Sequence, residues 1–282
     1  MKLKKFAVAP SFLVAIIAII IKTIDILLYY NETSGIIQGN FINTTLNIIF
    51  YACIVLIIIL GVSSTKSTAK YSKKILFNET IIMGYILFFC AVMFIIQGLL
   101  GFYHNLDQHF SSNVLSQYNL VRRITPFLCD IFACLSAFSF YKMAMQCFRD
   151  EGEPRKKLFS AIFPSIWGVL MVIYSLFITY ESVIIQSYAE QISFYCFMLL
   201  FLYYTTVHFY ECENGKKTLV TEFVRINFGI IASVVFLPYV FAGFLGIKDT
   251  LHSLPNFAVT GLCIYSIALF LQYNFYAAEN EK

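Results

Sequence analysis

The chain has 282 residues, 59% of them hydrophobic and 13% charged, with a formal net charge of +4. Ordinary globular chains are about 45–50% apolar and about 25% charged, so this composition carries more apolar surface than one water-facing core can bury. A soluble protein is excluded, and most side chains must face lipid.

A window of about 19 residues picks out eight apolar stretches, at approximately 7 to 30, 41 to 62, 77 to 103, 123 to 147, 159 to 181, 190 to 210, 223 to 246 and 255 to 276. Each reaches the roughly 20 residues that a helix needs to cross a hydrocarbon core of about 30 Å. Runs such as IVLIIIL do not alternate polar with apolar. Barrel strands are therefore excluded, and helices, which satisfy their own backbone groups, remain. The expected fold is all-α, a single domain built as a bundle of eight transmembrane helices.

The first span begins MKLKKFAVAPSFLVAIIAIII, a basic head and an apolar body of the kind a secretory signal carries. No small-residue cleavage site follows, because the next residues are Lys22, Thr23, Ile24 and Asp25, so the stretch reads as a retained span. If it ends at Tyr30, Lys22 lies roughly 12 Å and Asp25 roughly 7 to 8 Å below the outer boundary, at about 1.5 Å of rise per residue. Three residues apart, they share a helix face and are placed to pair, with the lysine stem able to snorkel outward.

The same count puts Asn47 of span two, Gln97 of span three and Asp130 of span four roughly 9 to 11 Å below that surface. Tyr239, just past Pro238 in span seven, and Thr260 in span eight fall at a similar depth. A charge inside a bilayer costs about 2.5 to 3.5 kcal/mol at the centre and faces the bundle interior or a wetted cavity. Lys22, Asp25, Asn47, Gln97, Asp130 and Tyr239 are therefore the candidate ligand-binding residues. Pro126 and Cys134, one turn to either side of Asp130, cannot neutralise it. The expectation is that Lys22 faces Asp130 across the bundle and Asp25 links to Arg122 or Arg123, forming an outward-opening pocket for a small molecule or ion. The competing use of such a layer is an interhelical clamp, in which amides and ion pairs hold spans together. Pro238 removes a backbone donor and predicts a kink in span seven, and Pro164 in span five is read the same way.

The longest connection, HNLDQHFSSNVLSQYNLVRR at 104 to 123, is external and long enough to serve as a lid. His104, Asp107 and His109 in it are weak metal candidates, since imidazole and carboxylate suit zinc or copper. Their spacing matches no standard site, so neither a metal nor another cofactor is expected. NET at 31 and NTT at 43 fit the glycosylation pattern, although Asn43 lies close to the membrane.

Three junctions, KYSKKILFNET, EPRKKLFSAIF and NGKKTLVTEFV, each put a lysine pair before a new apolar run, and HFYECENGK matches NFYAAENEK. These similarities suggest a helical hairpin used four times, as internal repeats do in transporter folds. Aromatic belts followed by basic residues at a cytoplasmic boundary account for them equally. With an even number of spans both termini share a side, which then holds 16 of the 20 Lys and Arg, leaving Lys22, Arg122, Arg123 and Lys248 opposite. That bias predicts cytoplasmic termini, in the plasma membrane of a bacterium.

The eight cysteines lie in spans or at the cytoplasmic face, so no disulfide framework is expected. No metalloprotease, nucleophile-elbow or phosphate-loop motif occurs, which argues against an enzyme. The partners expected are the bilayer, a small-molecule or ion ligand and a partner subunit, with no nucleic acid. The leading expectation is a solute or ion transporter; the alternative is a receptor, sensor or assembly subunit acting through another protein. A polar path through Ser136, Tyr174 or Asn227 would favour the transporter, and a closed apolar inner half the receptor.

Overall fold

The computed structural model describes residues 8–31, 36–37, 40–68, 81–111, 120–148, 159–181, 185–210, 217–245 and 256–279. Its helices are α1 (Val8–Tyr29), α2 (Phe41–Thr68), α3 (Ile81–Ser111), α4 (Leu120–Cys147), α5 (Ile162–Glu181), α6 (Ile185–Tyr210), α7 (Lys217–Phe244) and α8 (Asn256–Glu279). A 3-10 turn at Phe159–Ala161 leads into α5. Between α1 and α2, Tyr30–Asn31 (β1) pair antiparallel with Ile36–Ile37 (β2), the only strand pairing among the described residues.

Seven helices, α1 to α7, are long and apolar enough to cross a membrane. The described apolar part of α8, Phe257–Gln272, is shorter, so among the described residues seven of the eight expected spans meet that measure. Large apolar side chains such as Leu28, Ile48, Ile82 and Leu99 face outward. An apolar exterior around an apolar interior is the pattern lipid demands.

Each helix from α3 to α8 packs on the next, and α8 returns to α3, closing a ring of six. The α1–α2 hairpin joins that ring through α7. Accordingly 67% of the α7 span is buried against 22% of the α2 span, making α7 the keystone and α2 the periphery.

Aromatic rings fill the centre. Phe94 of α3 meets Phe140 of α4 at 5.1 Å between ring centroids and Trp167 of α5 at 4.9 Å. Phe140 continues to Tyr265 of α8 at 6.3 Å, and Tyr265 to Phe201 of α6 at 5.6 Å. All five are at most 1% exposed. Edge-on and tilted contacts of this kind add about 0.5–1.5 kcal/mol per pair beyond burial. The sixth helix enters through a glycine: a Cβ on Gly229 of α7 would stand 2.6 Å from Ser266 Cβ and 2.9 Å from Phe201 Cδ2.

Small hydroxyls tie the same walls together. Ser233 and Ser266 share a hydrogen bond of 2.7 Å between α7 and α8, and Ser165 and Thr206 one of 2.7 Å between α5 and α6. Ser139 of α4 donates to the Ser160 carbonyl ahead of α5. Such bonds are the usual polar glue of helices in lipid.

Two expectations change here. Helix α3 runs to Ser111 and α4 begins at Leu120, so His104 and Asp107 sit on a helix and the proposed 104 to 123 lid shrinks to residues 112–119, outside the described set. Pro164 falls in the first turn of α5, where its missing N–H has no helical acceptor to lose. Pro126 and Pro238 do lie inside continuous helices. The lysine-pair junctions of the suggested hairpin repeat lie in large part outside the described residues.

Gly229→Ala is expected to destabilise the bundle by about 1–3 kcal/mol through overpacking, read as a lower thermal unfolding midpoint in detergent. Gly168→Ala should shift it far less, because the new methyl meets the mobile Cδ1 ends of Leu199 and Leu202 at 3.1 and 3.3 Å.

Candidate functional site

The polar residues of the expected outer layer form two sets on different helix pairs. The first joins α1 to α2. Asn40 caps α2: its Oδ1 accepts the Asn43 backbone N–H at 2.8 Å, satisfying a donor that the helix start leaves open. That cap fixes the first turn, and Asn43 and Asn47, four residues apart, then share the face turned to α1. Lys22 Nζ donates to Asn47 Oδ1 at 2.8 Å and lies 3.4 Å from Asp25 Oδ2. Asn43 Nδ2 donates to Asp25 Oδ1 at 2.6 Å.

Three residues outward along α1 thus correspond to four residues back along α2, as antiparallel helices require. The remaining valences are used as well. Asn47 Nδ2 donates to the Asn43 carbonyl at 3.1 Å, which orients the amide oxygen toward the lysine. The ammonium also stands 5.5 Å from the centroid of Phe50, on the next turn of α2, where the ring face attracts it. Lys22 is 1% exposed and Asp25 fully buried, so this is a desolvated ion pair with amide partners on both sides.

The second set joins α3 to α4, the most extensive helix contact in the molecule. Asn105 Nδ2 donates to Asp130 Oδ2 at 2.6 Å. The carboxylate rests on bare backbone: a Cβ on Gly101 would stand 2.8 Å from Asp130 Cγ and nearer still to Oδ1. One turn further in, a Cβ on Gly98 would meet the Asp130 carbonyl oxygen at 2.9 Å. Gly98, Gly101 and Asn105 recur at three- and four-residue intervals, so they line one face of α3. The glycines allow the approach that small residues give membrane helices.

The expected pairing of Lys22 with Asp130 gives way to the local pairing of Lys22 with Asp25. The reason is topological. Helix α1 has α2 and α7 as its main neighbours, whereas α4 has α3 and α5. Asp25 is engaged by Lys22 and Asn43; the side chains of Arg122 and Arg123 lie outside the described set. Gln97 on α3 and Tyr239 on α7 are half-buried. Asn43 and Asn105 are the residues the sequence reading missed. Asn43 stood out only as a glycosylation match, which its bond to Asp25 within the bundle excludes, and Asn105 as a loop residue. Each had a usable signal: Asn43 precedes Asn47 by one turn, and Asn105 extends the glycine face of α3.

His104 and Asp107 are exposed near the end of α3, and the His109 side chain lies outside the described set. No group of three metal-ligating side chains occurs among the described residues. Seven described cysteines are free, and Cys90 Sγ donates to the Gly261 carbonyl at 3.1 Å between α3 and α8.

Compared with protein-family models, curated proteins and solved structures, the chain matches none. Its function must follow from these contacts.

Lys22→Met is expected to destabilise the protein by about 3–5 kcal/mol, because Asp25 is left as a buried charge without its counterion. The double variant Lys22→Met/Asp25→Leu should recover part of that loss. Unfolding of these two variants and of Asp25→Leu in detergent, against the unaltered protein, measures the coupling.

Proposed function

We propose that this multi-pass membrane protein acts as a receptor, sensor or assembly subunit working through a partner protein, rather than as a conduit. The single observation that carries this reading is the aromatic centre of the ring. Phe94, Phe140, Trp167, Phe201 and Tyr265 come from five of its six helices and touch across it. Conduction requires sites that a solute can enter and leave, and five rings in edge-on and tilted contact supply none.

One of the residues that would have continued a polar path supports the same reading. Ser136 is buried, and its hydroxyl donates to the Phe132 carbonyl of its own helix at 2.6 Å. The charged groups of the α1–α2 hairpin are likewise engaged with each other, which suits a clamp better than a vestibule. A protein closed in this way communicates through its outer faces, and the α1–α2 hairpin, attached to the ring through α7, is the element freest to meet a partner. The excess of Lys and Arg on one side supports cytoplasmic termini in a plasma membrane.

One observation favours a second reading, a carrier for a small solute or ion: Asp130 is a buried carboxylate, and acidic residues inside membrane spans commonly mark ion pathways and proton relays. Flux measurements separate the two. Vesicles containing the purified protein are expected to take up ions and small solutes no faster than empty vesicles. Phe140→Ala with Trp167→Ala, which hollows the centre, should raise the passive ion leak. Uptake above the empty-vesicle rate that is lost in Asp130→Asn would establish the carrier and remove the partner-acting reading.

A further inference from the structure

The two buried carboxylates of the outer layer have opposite surroundings. Asp25 has a lysine ammonium at 3.4 Å and an asparagine amide at 2.6 Å, one on each oxygen. Asp130 has one amide, on Oδ2, and its Oδ1 has no hydrogen-bond partner among the described residues. Yet it is only 8% exposed.

Among the described side chains no cation on the surrounding helices reaches it; those of Arg122 and Arg123, two turns toward the start of α4, lie outside the described set. Among described side chains, α3 contributes His104, one residue from Asn105, and α4 contributes Lys142, twelve residues further along and hence roughly 18 Å away on the helix axis. Lys142 sits over the Phe138 ring at 4.3 Å. Helices α5 and α8, which pack on α4 and α3, carry no Asp, Glu, Lys, Arg or His among their described side chains. The titratable groups closest on α4 are the thiols of Cys129 and Cys134. Asp107 of α3 adds only a second acid, beyond Asn105. Asp25, by contrast, has its ion pair with Lys22.

A carboxyl group in lipid without a counterion keeps its burial only by carrying a proton. The seam that holds it is open to the side: Cys134, one turn inward, and Ile131, the next residue, are exposed, and Gly101 is half-exposed. We propose that Asp130 is a proton-binding site in the α3–α4 seam, reachable from the lipid side, with Oδ1 carrying the exchangeable proton and Asn105 holding Oδ2. Asp25, tied to Lys22, takes no part. The site is independent of the partner-acting reading, because it requires neither a path through the centre nor a ligand outside.

Dicyclohexylcarbodiimide tests it directly, since this reagent partitions into lipid and reacts with protonated carboxyls. The acid oxygen bonds to the central carbodiimide carbon, the carboxyl proton passes to a carbodiimide nitrogen, and rearrangement leaves a stable acylurea with no leaving group. The full-length protein, reconstituted in vesicles, is labelled and the adduct mapped by mass spectrometry. The expected result is an adduct on Asp130 and none on Asp25, falling as the pH is raised and absent in Asp130→Asn. Asn105→Ala removes the amide that supports the ionised form and should label at least as readily. Folding of each variant is checked by its thermal midpoint. An unlabelled Asp130 in folded protein, equal labelling of both aspartates, or protection by sodium at constant pH would each overturn the proposal.

Discussion

A hydrocarbon interior offers no water to a buried polar group, so each charge and amide must find its partner on another part of the chain. That constraint organises this molecule. It selects helices for the backbone, and it makes each buried side-chain dipole a link between two particular helices. The α1–α2 hairpin is the clearest case. An asparagine cap starts α2, the cap sets the phase of Asn43 and Asn47, and those amides receive Lys22 and Asp25 in one antiparallel register. A shift of either helix by one residue would leave a charge facing an aliphatic neighbour. Specification of register is the best-attested use of buried polar groups.

The ring of α3 to α8 is held by a different device. Few charges enter its interior; glycines bring backbones close, hydroxyls bridge them, and large aromatics occupy what remains. Because apolar side chains gain little by leaving lipid for one another, such packing depends on fit and dispersion more than on hydrophobic transfer. This is why Gly229 and Gly101 matter as much as any large residue: each marks a place where the neighbouring helix occupies the volume a side chain would need.

The fold class was legible because hydropathy alone reports how much of the chain lies in lipid. Helix lengths followed, except where polar residues continue a helix past the apolar run, as His104, Asn105 and Asp107 do at the end of α3. Depth was also legible, since counting residues from a span end needs only the helical rise. Azimuth was not. Lys22 and Asp130 share a depth, but depth does not say which helices are neighbours, and the choice of α2 rather than α4 as the partner of α1 is made by packing among all eight helices. The local pairs, Lys22 with Asp25 and Asn43 with Asn47, could be read from spacing; the Asp130–Asn105 bond could be read only by following the glycine face of α3 beyond the apolar span.

The ring is built almost wholly from consecutive helices, and one contact breaks that rule: the return of α8 to α3. Membrane chains are made and inserted from the N-terminus onward, so the lateral gap between α3 and α7 persists until α8 arrives. Throughout that interval Phe140 and Phe201 lack the tyrosine that later bridges them. Helix α8 therefore behaves as a bolt, and a chain made only as far as α7 is an open crescent with its aromatic lining turned to lipid.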